Sequence, residues 1–475
     1  MVLRFKRLGM LGALGLVSGC AVADLPPLDA RDGDGGDLPH DVDGVDGGDD
    51  GNDGNDGDGG HTPPTWSCEP AAPFALQWGN ARDEEASALL FANDRLWVGG
   101  HEEGGRAKDP LPDGDSRGFV LALGSLPEAE AVVSGVGTTG GAGPIGQVSR
   151  MVVDVAGAGD AIEGFAERDG ALFVVGRTRG AFPGQTNEGH FDGFLGRLEG
   201  GALRDVVQFG DRAPQHPRQV VPLGNDWLVG GYDDIDVDGN YVRKWYDPMR
   251  AVVSGGLDEV EYLPTATVVD DMGGPVLAMP DGSGYFFGTW SDLPPLRGAF
   301  VTRYDRDGGI VWQRAISTMG FANVAALRWH GDELVVAGTT YEVLAEGAAG
   351  GQDVYVARLD PATGVVTDLV QLGSVGDDWV MDMVVDGDKV HVLGETTGSF
   401  EPGGQNRGAY DLFVVTVEEG AETRRWGVGT AEDERPMALA VDPCGRLFVA
   451  GHTTGGLAGV HRGGRDAFVL EVPAE

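Results

Sequence analysis

The sequence predicts an all-β fold, a seven-bladed β-propeller with four-stranded blades. Three observations support this prediction: seven copies of one short-strand unit, turn residues between the strands, and an N-terminal segment similar to the last strand of the copies. Of the 475 residues, 81 are glycine and 26 are proline, and the glycines are spread along the chain. Frequent tight turns between short strands explain this composition.

Residues 1–19 predict a secretion signal, in which three cations precede an uncharged apolar run from residue 8 to residue 17. At about ten residues, this run is too short to span a bilayer. It ends in the letters LVSGC, with the cysteine at Cys20, and this ending resembles the bacterial lipobox. The resemblance implies cleavage before Cys20, acylation of this residue, and export to the outer membrane because Ala21 follows it. Ordinary signal cleavage near Ala21 or Ala23 is the alternative.

Residues 20–67 are predicted to form a disordered acidic tether. Residues 21–60 contain thirteen aspartates and one arginine, with few apolar side chains to bury, so this segment repels itself and extends. Its Asp-Gly and Asn-Gly runs look like calcium ligands. Their spacing is irregular and no glutamate closes a loop, so a solvated spacer is the favoured interpretation.

The formal net charge of −41 is shared between the tether and the rest of the chain, because residues 61–475 still carry −32. Binding to nucleic-acid phosphate or to an anionic lipid surface requires a basic face. The charge therefore excludes nucleic acid as a direct ligand and favours cationic or neutral partners.

Residues 68–475 are predicted to form the propeller. The three C-terminal units each have a β-branched strand ending in Gly and Thr, a Gly-rich loop, and then an acid followed by an alternating apolar strand, and the upstream units depart from this pattern, with the first copy the weaker match. The copies are 98–100 with 118–120, 175–178 with 191–195, 287–289 with 298–301, 336–340 with 352–359, 393–398 with 410–415, and 449–455 with 465–470. A seventh, degraded copy contains 229–231, with its third strand predicted at 241–246.

The last copy shows a family resemblance. It reads MALAVDPCGRLF from Met437 to Phe448, and Asp466-Ala467-Phe468-Val469 begins its third strand. The unit resembles the bacterial β-propeller repeat of secreted and lipid-anchored proteins. The resemblance covers residues 73–475, is strongest in the last three units and implies the fold, but it implies little about the ligand.

The ring is predicted to close through an N-terminal strand. The chain ends after the third strand of the last blade, which leaves that blade without its outer strand. Residues 74–79, with the letters FALQWG, are similar to the outer strands at 310–315 and 423–428. We expect them to fill the vacancy and to remove an exposed strand edge.

Cys68 and Cys444 are predicted to form a disulfide that locks this ring. Cys444 lies in the turn between the first and second strands of the last blade, and Cys68 precedes the N-terminal strand of the same blade. Because strands alternate in direction, the two positions share one face, and three strand spacings are about 14 Å. With Cys20 acylated, an even pair remains in an oxidising compartment. Two unpaired thiols are the alternative.

Asp234, Asp236 and Asp238 form a candidate calcium site, and no other cofactor is expected. They occupy positions 1, 3 and 5 of the run DIDVDGN, with a glycine at position 6 for the turn. Positions 9 and 12 lack a carboxylate, and Asp233 and Asp247 are the candidate substitutes. A plain acidic hairpin is the favoured alternative.

Other chemistry-bearing residues show no catalytic pattern. Five histidines fall at different places within the units, which indicates surface or loop positions and no shared site: His190, His330, His391, His452 and His461. Carboxylates are too abundant for a glycosidase pair to stand out.

The sequence therefore predicts a lipid-anchored, non-catalytic binding or scaffold module at the outer membrane or cell surface. The expected partners are the membrane, through the anchor, and a protein or glycan ligand, and the expected state is a monomer. One alternative is an exported propeller enzyme, such as a lyase, a glycoside hydrolase or a quinoprotein. It would need acids, histidines or arginines from several blades to converge on the central channel. A purely structural envelope protein is the other alternative.

Overall fold

The computed structural model describes residues 68, 73–79, 82–104, 115–124, 137–138, 147–153, 155, 159–211, 213–236, 244–264, 271–291, 297–318, 322–400, 404 and 406–474. The chain divides into two units, Met1–Gly60 and His61–Glu475, and every described residue belongs to the second. Cys20, the predicted signal and the predicted tether lie outside the described residues.

The regular elements of the described residues are all β-strands. In chain order they are β1 (Ala75–Trp78), β2 (Glu84–Ala92), β3 (Arg95–Gly104), β4 (Asp115–Gly124), β5 (Gly137–Thr138), β6 (Gln147–Val153), β7 (Asp160–Arg168), β8 (Ala171–Thr178), β9 (Asp192–Glu199), β10 (Ala202–Phe209), β11 (Gln215–Leu223), β12 (Asp226–Asp236), β13 (Lys244–Val253), β14 (Val260–Tyr262), β15 (Asp271–Ala278), β16 (Gly284–Ser291), β17 (Gly298–Asp305), β18 (Ile310–Ser317), β19 (Asn323–His330), β20 (Glu333–Thr340), β21 (Asp353–Leu359), β22 (Val366–Leu372), β23 (Asp378–Asp386), β24 (Lys389–Thr396), β25 (Asp411–Glu418), β26 (Ala421–Val428), β27 (Glu434–Val441), β28 (Leu447–Thr453) and β29 (Asp466–Glu471). In this part of the chain, no helix is long and apolar enough to cross a membrane.

These strands form seven antiparallel blades, which confirms the predicted fold. Blade 1 is β2-β3-β4-β6, blades 2 to 6 are the consecutive quartets from β7 to β26, and blade 7 is β27-β28-β29-β1-β5. The first strands of the blades contact one another in a closed cycle, in which β27 meets β2. The structure is therefore a seven-bladed β-propeller.

The core lies between neighbouring blades. The second and third strands are almost wholly buried, as in β20 and β25, whereas the outer strand β18 is largely exposed. A typical interface joins blades 5 and 6 through Val335, Val356, Met383, Val392 and Phe413. Because each blade buries both faces against its neighbours, its central strands are apolar on both sides.

Tight turns join the first two strands of a blade. Between β7 and β8, Asp169 and Gly170 have φ values of 55° and 77°. Two successive residues with positive φ form the hairpin turn whose twist matches that of the strands, and Asp-Gly suits it. This turn chemistry accounts for part of the high glycine content.

The N-terminal strand closes the ring as predicted. β1 pairs antiparallel with β29, with Ala75 opposite Leu470 and Trp78 opposite Ala467. The sequence did not predict β5, a two-residue strand from the connection between β4 and β6, which pairs with β1 and extends this blade to five strands. The structure also confirms that Cys68 and Cys444 lie at disulfide distance, with Cα atoms 5.5 Å apart.

One strand prediction in blade 3 is wrong in its bounds. The third strand runs from Lys244 to Val253, so it includes residues 244–246 of the predicted strand and continues beyond Tyr246, while residues 241–243 lie outside the described residues. Its register against β12 joins Lys244 to Asp236 and Val253 to Trp227, so the ladder extends well beyond the predicted end. Pro248 lies within this ladder. Because proline is rare inside strands, the local residue preferences do not indicate a strand here.

Candidate functional site

The first strand of every blade contains a β-bulge at the same height. The register of β2 against β3 shifts between Ala86 and Ala88, and equivalent shifts occur in β7, β11, β15, β19, β23 and β27. A bulge bends its strand and turns the extra side chain in a new direction. The bulged residues are Ser87, Glu163, Arg218, Gly274 with Pro275, Ala325, Met381 and Met437.

All of these bulged residues line one cavity of about 480 Å³ in the central channel. The blades contribute unequally to its wall. Blades 2 and 3 supply the charged Glu163 and Arg218, whereas blades 5 to 7 supply the apolar Ala325, Met381 and Met437. The polar side is the wall formed by blades 2 and 3, and Arg328 and Asp382 add a second charged pair on blades 5 and 6.

Glu163 is the central acid of the polar side. Its carboxylate lies 3.0 Å from Arg177 Nε and 3.7 Å from Arg218 Nη1, and only 8% of the side chain is exposed. Burial alone would raise the pKa of Glu163, but Arg177 and Arg218 outweigh it and hold the pKa below the usual value. Arg218 keeps 45% of its side chain exposed, and its guanidinium lies 5.6 Å from the ring of Tyr232.

Asp382 is the second carboxylate of the cavity wall and joins three blades. Its Oδ1 accepts from Arg328 Nη2 at 2.8 Å and from the backbone N–H of Met383 at 2.8 Å. Its Oδ2 accepts from the backbone N–H of Leu439 in blade 7 at 2.9 Å. Burial raises the pKa of Asp382, although Arg328 opposes this effect. These contacts give Asp382 a structural role between blades.

Two amide side chains of the wall have a fixed orientation. Gln219 Oε1 accepts from the backbone N–H of Val276 at 3.1 Å, and Asn323 Oδ1 accepts from that of Thr339 at 2.9 Å. Because a backbone N–H can only donate, the oxygen of each amide must face it, which leaves the NH₂ group for other partners. Both residues line the cavity.

At the mouth of the channel, each blade contributes a backbone pair of residues at one level, of which at least one is polar or aromatic. In each blade, a residue next to the start of the first strand pairs with a residue near the end of the second strand. These pairs lie at the same height along the channel. The pairs are Glu85 with His101, Ala161 with Arg177, His216 with Tyr232, Met272 with Trp290, Asn323 with Thr339, Trp379 with Glu395, and Arg435 with His452.

Of the five histidines predicted at surface or loop positions, His452 lies in strand β28 at this level, and the prediction is wrong for His391, which is buried in strand β24. His101, His216 and His452 occupy equivalent levels at the mouth, although His190, His330, His391 and His461 do not. A signal for them exists in the sequence, because His101 and His452 each directly follow the glycine near the end of the second strand. That glycine is required in blade 7, where a Cβ on Gly451 would lie 2.2 Å from the carbonyl oxygen of Arg435.

Two of these histidines are held in place by charged neighbours. His216 stacks on Tyr232, and its Nδ1 accepts from Arg177 Nη1 at 2.7 Å because a guanidinium can only donate. The proton of the neutral ring therefore lies on Nε2, which is 3.4 Å from Asp234. His452 lies 3.4 Å from Glu85, and burial lowers its pKa to about 4.

The candidate calcium residues are not brought together within the described residues. Asp234 faces His216, the side chain of Asp236 and all of Asp238 lie outside the described residues, and no group of three His, Cys, Asp or Glu side chains within them is arranged to hold a metal. Burial, together with Asp211 and Asp247, raises the pKa of Asp233 to about 8. A plain acidic hairpin remains the favoured prediction here, and calcium binding remains the untested alternative.

No protein-family model matches this chain, and no curated protein matches it. Among solved structures, the polysaccharide lyase Uly1 is 10% identical and matches over 82% of this chain and 90% of its own, with a TM-score of 0.43. The phage phi92 endosialidase is 8% identical over 85% of this chain and 70% of its own, at 0.41. The C-terminal WD40 domain of Sif2 is 10% identical over 84% and 99%, also at 0.41.

Proposed function

We propose that this chain is a lipid-anchored cell-envelope propeller that binds a ligand in its central channel without transforming it. The observation that supports binding is the set of seven bulges, which direct one side chain or more from every blade into a single cavity of about 480 Å³. This volume falls within the range of sites for small molecules. A protein or glycan partner would insert a group the size of a small molecule through the channel mouth.

The state of the channel acids favours binding over catalysis. A general base for work at neutral pH needs a pKa near 7. The pKa of Glu163 is shifted downward, away from that range, because Arg177 and Arg218 stabilise its carboxylate. Asp382 accepts three hydrogen bonds that join blades 5, 6 and 7, so its oxygens are engaged in structure.

The proposed location rests on the N-terminal sequence. The signal-like residues 1–19 and Cys20 support acylation and outer-membrane export, and the acidic segment 20–67 would hold the propeller away from the membrane. The Cys68–Cys444 pair fits an oxidising compartment outside the cytoplasm. We propose a monomer that does not bind nucleic acid.

An exported propeller enzyme is the second candidate. The observation in its favour is the convergence of Glu163, Arg218, Arg328 and Asp382 from four blades on one cavity. Such convergence is what an enzyme in this channel would require.

One experiment separates these candidates. The full-length protein in detergent micelles is applied to glycan and protein arrays beside Ala325→Trp and Ser87→Trp, which fill the cavity from two different blades. Ala421→Trp, on the exposed start of β26, is the matched control. We expect hits that both blocking variants lose and the control keeps. Hits that survive blocking, or no hits at all, would contradict channel binding, and a change in mass of a bound compound would favour the enzyme.

The anchor is tested separately. Palmitate labelling and membrane fractionation should show lipid on the wild-type protein and none on Cys20→Ala. An unlabelled wild type refutes the anchor and leaves the channel proposal standing.

A further inference from the structure

The polar side of the channel presents hydrogen-bond donors. Arg218 extends a partly exposed guanidinium into the cavity, and a guanidinium has five N–H donors and no acceptor. Gln219 and Asn323 present NH₂ groups, because their oxygens are occupied by the backbone N–H groups of Val276 and Thr339. Arg218 and Gln219 of blade 3 and Asn323 of blade 5 therefore offer donors to the cavity.

The carboxylate acceptors of the same wall are engaged. Glu163 is paired with Arg177, and Asp382 accepts from Arg328 and from two backbone N–H groups. Ser87 donates its hydroxyl proton to the carbonyl oxygen of Ile162 at 2.7 Å, so its oxygen can still accept a hydrogen bond from a ligand. A ligand in this cavity would therefore find few acceptors and would have to supply its own.

The charged side chains that line the cavity balance, and Arg177, which contacts Glu163 from outside the lining, adds a further cation. Arg328 and Asp382 form one pair, whereas Arg177 and Arg218 share the single carboxylate of Glu163. A further acid at the mouth, Glu85, lies 3.2 Å from Arg465, and Arg465 also lies 3.5 Å from Asp83 and 3.7 Å from Glu103. Arg177 and Arg218 both contact the Glu163 carboxylate. The guanidinium of Arg218 is the farther of the two, and it is the one exposed to the cavity.

We propose that the channel binds a small hydroxylated carboxylate of the sugar-acid class. The ligand carboxylate pairs with Arg218, and its hydroxyl oxygens accept from the amides of Gln219 and Asn323. Tyr232 and Trp290 supply aromatic surface beside this polar wall, and Met381 and Met437 form the apolar side. This inference rests on the proposed binding function and names the ligand class of that site.

The acidity of the whole chain does not oppose this assignment. The overall charge favours cationic or neutral partners at long range, but charges separated by more than about 8 Å are largely screened at physiological salt. Within the channel, charge-assisted hydrogen bonds to the guanidinium act at contact distance and are about twice as strong as neutral ones. A local excess of donors therefore determines the ligand chemistry.

Calorimetric titration of the full-length protein with glucuronate and with glucose tests the proposal. Glucuronate should bind at least about tenfold more tightly than glucose, since a charged hydrogen-bonded pair is worth about 1.5–3 kcal/mol. Arg218→Gln should lose at least about tenfold in glucuronate affinity by the same argument. Arg204→Gln, an exposed arginine on the outer strand β10, is the matched control and should bind as the wild type does.

Gln219→Glu and Asn323→Asp sharpen the test. Each variant keeps an oxygen for the backbone N–H of Val276 or Thr339 but replaces the NH₂ donor with a second acceptor. Both should weaken glucuronate binding and leave thermal stability close to that of the wild type. Equal affinity for the two sugars, unchanged binding by Arg218→Gln, or no glucuronate binding would overturn the proposal. If array hits still depend on an open channel, only the ligand class is wrong.

Discussion

Gln77 donates a hydrogen bond to Asp466 at 3.0 Å, although 389 positions separate the two residues in the chain. The same bond occurs within blade 2, from Gln208 to Asp192 at 3.0 Å, and within blade 5, from Gln371 to Asp353 at 3.0 Å. In each case, a glutamine of the fourth strand reaches the buried aspartate that begins the third strand. The N-terminal strand therefore reproduces the bonding of an ordinary outer strand and closes the ring.

Loss of this bond should weaken the closure. Gln77 also donates to the carbonyl oxygen of Gly455 and accepts from the N–H of Ala458, each at 2.9 Å. Gln77→Leu leaves buried partners without a donor, and we expect a loss of about 1–3 kcal/mol in the free energy of unfolding. Denaturant titration measures it. Gln313→Leu, on the exposed strand β18, is the control and should change the free energy of unfolding little. Equal losses of unfolding free energy in the two variants would contradict the special role of Gln77.

The Cys68–Cys444 pair should add to this closure. A crosslink over 376 positions restricts the unfolded chain, and we expect the double variant Cys68→Ala/Cys444→Ala to lose about 3–5 kcal/mol. Urea denaturation of the oxidised wild type and the double variant gives the difference. A non-reducing peptide mass map should find the two cysteines joined, and free thiols at both positions in the native protein would refute the crosslink.

His391 should make the propeller sensitive to acid. Burial lowers the pKa of His391 from 6.5 to about 4, so the fold favours the neutral ring. The associated stability is fully present above pH 6.5 and is lost as the pH falls towards 4, by up to about 3 kcal/mol. His391→Gln can still hydrogen-bond Thr416, the partner of Nδ1 at 2.9 Å, and should flatten this pH dependence.

Unfolding free energies at several pH values between 4 and 7 measure the effect of His391. His461→Gln is the control, because this exposed histidine should leave the pH profile unchanged. An identical slope for wild type and His391→Gln would show that acid sensitivity arises elsewhere.

The acidic hairpin of blade 3 is expected to be a plain turn without calcium, since its sequence lacks closing carboxylates at positions 9 and 12. Calcium at about 1 mM, enough for extracellular sites, should then leave the melting temperature unchanged. A rise that Asp236→Asn abolishes would contradict this expectation and would establish the site.

Local sequence patterns predicted the architecture well because residues close together in the sequence define the repeat. The glycine and threonine that end a second strand and the acid that begins a third strand recur in blades 2, 5, 6 and 7, and Gln77 lies in a segment similar to the other outer strands. The channel could not be predicted in the same way. Glu163 and Arg218 face the cavity because of bulges, and a bulge depends on the register between strands, which a single sequence does not show.

The mouth of the channel was missed for a different reason. His101 and His452 stand at one repeat position, but the residues at that position differ in charge and size from blade to blade. A search for residue types that repeat in every blade therefore does not find this position, because its residue type differs from blade to blade. In a propeller, constant positions build the blade, and variable positions at the same level define the site.

Glu163 should couple stability to ligand affinity in opposite directions. Its carboxylate is the shared partner of Arg177 and Arg218, so Glu163→Gln leaves two guanidiniums beside one another near the channel. We expect a loss of about 3–5 kcal/mol in the free energy of unfolding, because removal of one member of a buried ion pair leaves an uncompensated charge. The same change raises the positive charge of the cavity wall and should strengthen glucuronate binding several-fold.

Calorimetric titration and denaturant unfolding of one Glu163→Gln preparation measure both effects. Glu333→Gln is the matched control, since Glu333 pairs with Arg358 at 3.3 Å but is 41% exposed, and such pairs contribute about 0–1 kcal/mol. It should alter neither quantity appreciably. A Glu163→Gln protein that is destabilised but binds glucuronate more weakly would mean that the carboxylate positions Arg218 for the ligand. In that case, the main effect of the Glu163 carboxylate on glucuronate affinity would not be to neutralise positive charge.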